Sequence, residues 1–301
     1  MKQYSKYAFY TIILTELLLL PVYFMINYMK WNFGKYRKKN IPLKIRKPVL
    51  GNFVKVCVHE WGGYKGKREK IIKNIKEFEC GLDYQLSRFL KYKGKYDVDL
   101  TVTVSESSLM DKKIENVNVI EVSNVGMDFS GYERFYDRIK EIDNQYVILS
   151  NSSVNKLQKE FIDGYLDYFK ENTSIGMMGI SVNSKIYQSF IINNYNPHLQ
   201  SFFLLTTIDV LREVVEVNGS FPGKGINHKL LLIRKGEVAL STIVLNLGYK
   251  LAVVLENGTP FLFDKSSFAD NGKSSWNIDF GDYRINAINP NAINPIKNIY
   301  L

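Results

Sequence analysis

The distribution of apolar and polar positions divides the chain into an amino-terminal apolar block and a long region where strand and helix patterns take turns. From Tyr7 to Met29 the residues YAFYTIILTELLLLPVYFMINYM are almost continuously apolar. Wound as a helix, this stretch is about 35 Å long, enough for a hydrocarbon core of ~30 Å. Beyond it the pattern shortens. FVKVCV (53–58) is a brief apolar run that predicts a buried strand. Ile71, Ile75, Phe78, Leu82, Leu86 and Phe89 recur at three- and four-residue steps after the turn-like Gly62-Gly63, which predicts an amphipathic helix over 67–91. VDLTVTV (98–104) alternates strictly and predicts a strand, as does VNVIEV (117–122). A helix over 131–141, the strand YVILS (146–150), a helix over 155–170 and the strand IGMMGI (175–180) follow. The second half holds the apolar run LQSFFLLT (199–206) and a helix near 207–217. It continues with KLLLIR (229–234) as a strand, a helix over 236–247 stopped by Gly248, and KLAVVL (250–255).

Strand and helix in alternation predict an α/β fold, a mostly parallel sheet with flanking helices behind an amino-terminal transmembrane helix. Four regions follow: an anchor (1–29), a basic juxtamembrane linker (30–50) closed by Pro42 and Pro48, the α/β domain (51–256) and a carboxyl-terminal extension (257–301). The extension is rich in Asn, Pro and Gly, with a near-repeat at Ala287-Ile-Asn-Pro and Ala292-Ile-Asn-Pro. It reads as a surface segment without chemistry.

Charge enters because the 301 residues carry a formal net charge of +10. Residues 1–47 hold ten Lys/Arg and the single acid Glu16; the rest is nearly balanced. A nucleic-acid binder carries its positive charge on the folded face that grips phosphate, so nucleic acid is not an expected partner. The basic residues follow the apolar block, from Lys30 to Lys47, and the positive-inside bias puts that flank in the cytoplasm. The expected arrangement is a single pass through the cell inner membrane with the domain cytoplasmic. Two other arrangements compete. A cleaved signal peptide would need a small-residue cleavage site, which is missing here. A helix lying in the interface, or a hairpin bent at Pro21, is favoured by Glu16 near the centre of the block. Two cysteines, Cys57 and Cys80, are too few for a disulfide scaffold and read as buried free thiols.

The short motifs of known chemistries are missing. His59-Glu60 lacks the following His of a zinc-protease helix, Gly62, Gly63 and Gly66 do not make a dinucleotide fingerprint, and Pro222-Gly-Lys-Gly225 lacks Walker spacing. No organic cofactor is expected. Polar clusters instead fall after the predicted strands, where open parallel sheets bind ligands. These are His59-Glu60, Ser105-Glu106-Ser107, Asn124-Val-Gly126-Met-Asp128 and Ser150-Asn151-Ser152-Ser153, with Gly236-Glu237 opening a late helix. Each alone also suits a cap or turn.

Six segments together resemble the rhamnan synthesis protein F family and, more broadly, the GT-A glycosyltransferases. They are VCVHEW (56–61), DLTVTVS (99–105), NVGMDFSGY (124–132), YVILSNSSV (146–154), PHLQSFFLL (197–205) and GEVALSTIVLNLGYK (236–250). The resemblance implies a GT-A-like domain moving a sugar from a nucleotide-sugar donor to a lipid-linked or growing cell-surface polysaccharide. It implies donor-binding roles for Asn124, Gly126 and Asp128, and matches His59, beside Glu60, to the family's His after strand one. His198 and Gln200 become candidates for the acceptor side, and Glu237 for the catalytic base. Where many GT-A enzymes carry an Asp-x-Asp that holds a divalent ion, Mg²⁺ or Mn²⁺, this chain reads Ser150-Asn151-Ser152. Asn is a neutral, weaker ligand for a hard cation, which leaves Asp128 as the metal candidate and Asn151 and Ser152 as donor contacts. Val238 stands where the second acid of a Glu-Asp pair would be. Two other functions fit the same pattern: a non-catalytic binding or assembly subunit of a polysaccharide synthase, and a nucleotidyltransferase.

Overall fold

The structure, a computed structural model, describes residues 4–33, 41–61, 67–70, 78–106, 114, 117–155, 160–185, 195–255, 257–264 and 292–297. Its frame is an eight-stranded sheet. β1 (Phe53–Glu60) lies between β4 (Asp97–Ser105) and β6 (Tyr146–Asn151), and β5 (Asn118–Val122) closes that edge, all parallel. β10 (Phe203–Thr207) runs antiparallel between β6 and β7 (Ile175–Gly179). β11 (Lys250–Val254) is parallel to β7, and β12 (Pro260–Phe263) is the antiparallel far edge. The mostly parallel sheet with flanking helices is thus the fold the sequence pattern predicts.

Strand pleat sorts the side chains onto two faces. Val56, Val58, Tyr146 and Ile148 pack with α2 (Leu82–Leu90) and α4 (Ile162–Glu171) on one face. Cys57, Val147 and Leu149 pack with α3 (Asp128–Ile139) and α5 (Ile208–Asn218) on the other. That second face is also covered by a long helical run: α6 (Lys229–Leu232), a π-helical turn (Ile233–Val238) and α7 (Ala239–Asn246), in unbroken succession.

Four elements differ from the sequence pattern. KLLLIR is helical, not a strand. A short apolar run does not distinguish a buried strand from a buried helix, and here His228 caps the helix, its Nδ1 accepting from the Leu231 amide at 3.4 Å. Among the described residues of the helix predicted over 67–91, Leu82 to Leu90 are helical. β2 (Arg68–Lys70) and β3 (Phe78–Cys80) precede it as an antiparallel pair, and Ile71 and Ile75 lie outside the described residues. LQSFFLLT is split by a turn at Ser201: β9 (Tyr195–Leu199) pairs with β8 (Val182–Lys185), while β10 enters the main sheet. The helix predicted over 155–170 begins only at Ile162.

The amino-terminal helix α1 (Tyr4–Phe33) is long and apolar enough to cross a membrane. Residues 41–50 then lie extended on the domain. The Lys44 amide donates to Gly248 O at 2.9 Å and the Arg46 amide to Thr173 O at 2.8 Å. The Arg46 guanidinium is buried over the Phe169 ring and donates to the carbonyls of Phe169 and Ile175. Burial lowers its pKa to about 10, so it stays charged at neutral pH. At the other end of the chain, β12 lies beyond residue 257, and Ile293 is buried in the α2/α4 layer.

Candidate functional site

The carboxyl ends of the parallel strands form one rim, and on its α3 side two carboxylates meet. Asp128 is the first residue of α3. Its Oδ2 accepts the Asn151 side-chain amide at 2.7 Å and faces Ser201 Oγ at 3.5 Å. Glu237, in the π-helical turn, accepts Ser201 Oγ at 2.7 Å and the Ser201 amide at 3.1 Å. Ser201 therefore stands between the two acids. Its own carbonyl accepts the buried Tyr132 hydroxyl at 2.7 Å. Asn151 is oriented from behind, its Oδ1 accepting the Ser153 amide at 3.0 Å and hydroxyl at 2.6 Å.

His59 closes the cluster on the β1 side. Its Nδ1 shares a hydrogen bond with Thr103 Oγ1 at 3.0 Å, and Cys57 Sγ lies 3.6 Å from the same hydroxyl. Its Nε2 is buried with no hydrogen-bond partner among the described residues. Gly131 makes this packing possible: a Cβ there would come within 2.3 Å of His59 Nδ1 and 2.4 Å of Thr103 Oγ1.

Burial dominates the electrostatics. It raises the Glu237 carboxyl above its ordinary range; the Ser201 hydrogen bonds oppose the rise and the Asp128 charge adds to it. Burial lowers the His59 imidazole, with Asp128 pulling the other way, and pushes the Cys57 thiol up to about 12. Burial thus disfavours the charged form of both Glu237 and His59.

The loop before α3 shapes the same rim. Gly126 has φ 101° and Met127 φ 49° with ψ −128°, a backbone state costly for a residue with a side chain. Asn124 does not join the carboxylates; its amide donates to Glu106 Oε1 at 2.9 Å, tying the loop to the end of β4. The pleat turns Glu60 to the sheet face opposite His59, where it is buried. Ser152 is also buried, its amide donating to His59 O at 2.9 Å. Gln200 accepts the Ser181 hydroxyl at 2.6 Å, and buried His198 pairs in register with Asn183. Of the residues singled out from the sequence, the structure gathers His59, Asp128, Asn151 and Glu237, with Gly126 in the adjoining loop. Glu60 faces the other side of the sheet and Asn124 turns to Glu106. Ser201, Thr103 and Tyr132 were missed. Only Ser201 carried a sequence signal, a small polar residue interrupting an apolar run.

No group of three or more His, Cys, Asp or Glu suited to a metal occurs among the described residues. A cavity of about 660 Å³ opens beside the loop, lined by Ser123, Val125, Ser130, Arg134, Lys224 and Asn227 among others.

No family model matches the chain, and no curated protein matches it. Fifteen chains of solved structures do. One is the mannosyltransferase PcManGT from Pyrobaculum calidifontis in complex with GDP-Man and Mn²⁺, at 11% identity and a TM-score of 0.35. The match covers 82% of this chain and 65% of that one, and at this level it carries no argument about chemistry.

Proposed function

We propose that this protein is a glycosyltransferase, moving a sugar from a nucleotide-sugar donor to a lipid-linked or growing cell-surface polysaccharide at the cytoplasmic face of the inner membrane. The observation that carries the reading is the pair of acids on Ser201, set at the carboxyl edge of a mostly parallel sheet. That edge is where such sheets bind nucleotides, and its residues coincide with those of the family resemblance. Glu237 is the base that takes the proton of the acceptor hydroxyl. Its raised proton affinity supports that role, and Ser201 fixes the carboxylate's direction. Asp128 and the loop before it address the donor diphosphate, beside the positive end of the α3 dipole. Mg²⁺ commonly takes only one or two protein carboxylates, with substrate phosphates completing its shell, so Asp128 would suffice to hold Mg²⁺ or Mn²⁺ and stabilise the leaving diphosphate.

The test is a panel of nucleotide-sugars given to the full chain in membranes, with and without Mn²⁺, with products read by mass spectrometry. Sugar transfer or donor hydrolysis is expected. Asp128→Asn should weaken donor binding by about tenfold or more at unchanged melting temperature, as loss of a charge-assisted contact does. Serine and asparagine in place of an Asp-x-Asp favour a second reading, a non-catalytic subunit of a polysaccharide synthesis complex. Donor binding without turnover under every condition would select it.

A further inference from the structure

The first half of α1 is packed against the domain. Its less exposed positions, Phe9, Ile12, Ile13, Glu16, Leu20 and Tyr23, recur at three- and four-residue steps and form one stripe. Phe9 stacks on His228 with ring centroids 4.7 Å apart, and Glu16 pairs with Arg234 at 2.7 and 3.4 Å. Both charged side chains are only 9% exposed. The opposite face turns outward, with Tyr10, Leu14, Leu17, Leu18, Phe24 and Met25 all exposed.

These contacts conflict with a single crossing. With the basic flank at the cytoplasmic surface, residues 7–16 of a spanning helix would lie in the far half of the bilayer. The same residues touch the domain at His228 and Arg234. A spanning α1 would have to pull Glu16 from Arg234 and carry the carboxylate into hydrocarbon.

We infer that α1 lies in the plane of the membrane surface, carried on the domain by its Phe9–Glu16 stripe, with the exposed face in lipid and the amino terminus on the domain's side. The partner is an anionic bilayer. Charge complementarity selects it, since Lys30, Lys35, Arg37, Lys38 and Lys39 follow the helix in sequence without an acid, while Lys44 and Arg46 are engaged by the domain. Leu43 and Ile45 are also exposed, beside Gly248 at the far end of the helical run.

The experiment uses the full chain. Lys6→Cys is introduced, with the two native thiols buried, and right-side-out spheroplasts are treated with a membrane-impermeant maleimide. No labelling is expected until the cells are permeabilised; labelling of intact spheroplasts overturns the inference. An amino-terminal epitope tag on the unsubstituted chain gives the same answer by protease protection if the cysteine variant fails to fold. Purified protein should float with phosphatidylglycerol vesicles and much less with phosphatidylcholine alone. Failure to float, with a stable dimer in solution, would instead assign the apolar face to a second copy and overturn the lipid reading.

Discussion

At Glu237 the roles in stability and in chemistry oppose each other. Its folded-state proton affinity is raised, so between the ordinary carboxylate pKa and the folded value the folded protein binds more protons than the unfolded chain. The stability this group contributes is present at lower pH and is lost as pH rises through the folded value. Glu237→Gln removes that loss. The variant should melt above the native protein at pH 8, with a smaller difference at pH 5, while turnover falls by ~10²-fold or more. Near-native turnover would leave Glu237 a buried structural acid. The sequence showed this residue only through resemblance, and it could not show Ser201, which lies 36 positions away and reaches Glu237 through tertiary packing. His59 and Asn151 were legible because both end apolar strands, where a buried parallel sheet places its ligands. Glu60, one step further along the same strand, faces the other side of the sheet.

Among the elements, the extended segment 41–50 departs furthest from a linker. Its alternation is inverted: Lys44 and Arg46 point inward, to Glu213 and to helix-end carbonyls, while Leu43 and Ile45 point outward. Hydrophobic pattern alone cannot register a basic residue as a core residue. Arg46→Ala should strip partners from buried carbonyls near the end of α4 and the start of β7. A loss of about 3 kcal/mol is expected from hydrogen bonds to a charged group, read as a lower urea midpoint at unchanged slope. A loss below 0.5 kcal/mol would show the segment to be merely laid on the surface. The strands of the parallel core were read closely from sequence because they are continuous apolar runs. KLLLIR is such a run too, and only its capping residue and its neighbours along the helix made it helical.

For the whole molecule, described segments near both ends, the Phe9–Glu16 stripe and residues 292–297, pack on the fold. Ile293 packs in the α2/α4 layer and the Tyr165 hydroxyl donates to Asn294 O at 2.9 Å, though the sequence marked this stretch as a surface extension. Ending the chain at Asp264 should cost about 2–3 kcal/mol, the value of one buried aliphatic side chain, and lower the melting temperature by several degrees; an unchanged melting curve would return the tail to the surface. The π-helical turn has a consequence on the same scale. Arg234 and Glu237 are three residues apart, and regular α-helical winding would put them about 60° from one another around the axis. The wider turn spreads them, so that one reaches α1 and the other Ser201. The helix thus sets the phase between its contact with α1 and its acid at the rim. Removing a single residue, such as Lys235, would rotate one half against the other by roughly 100°, and the chain could then keep its grip on α1 or its acid at the rim, but not both.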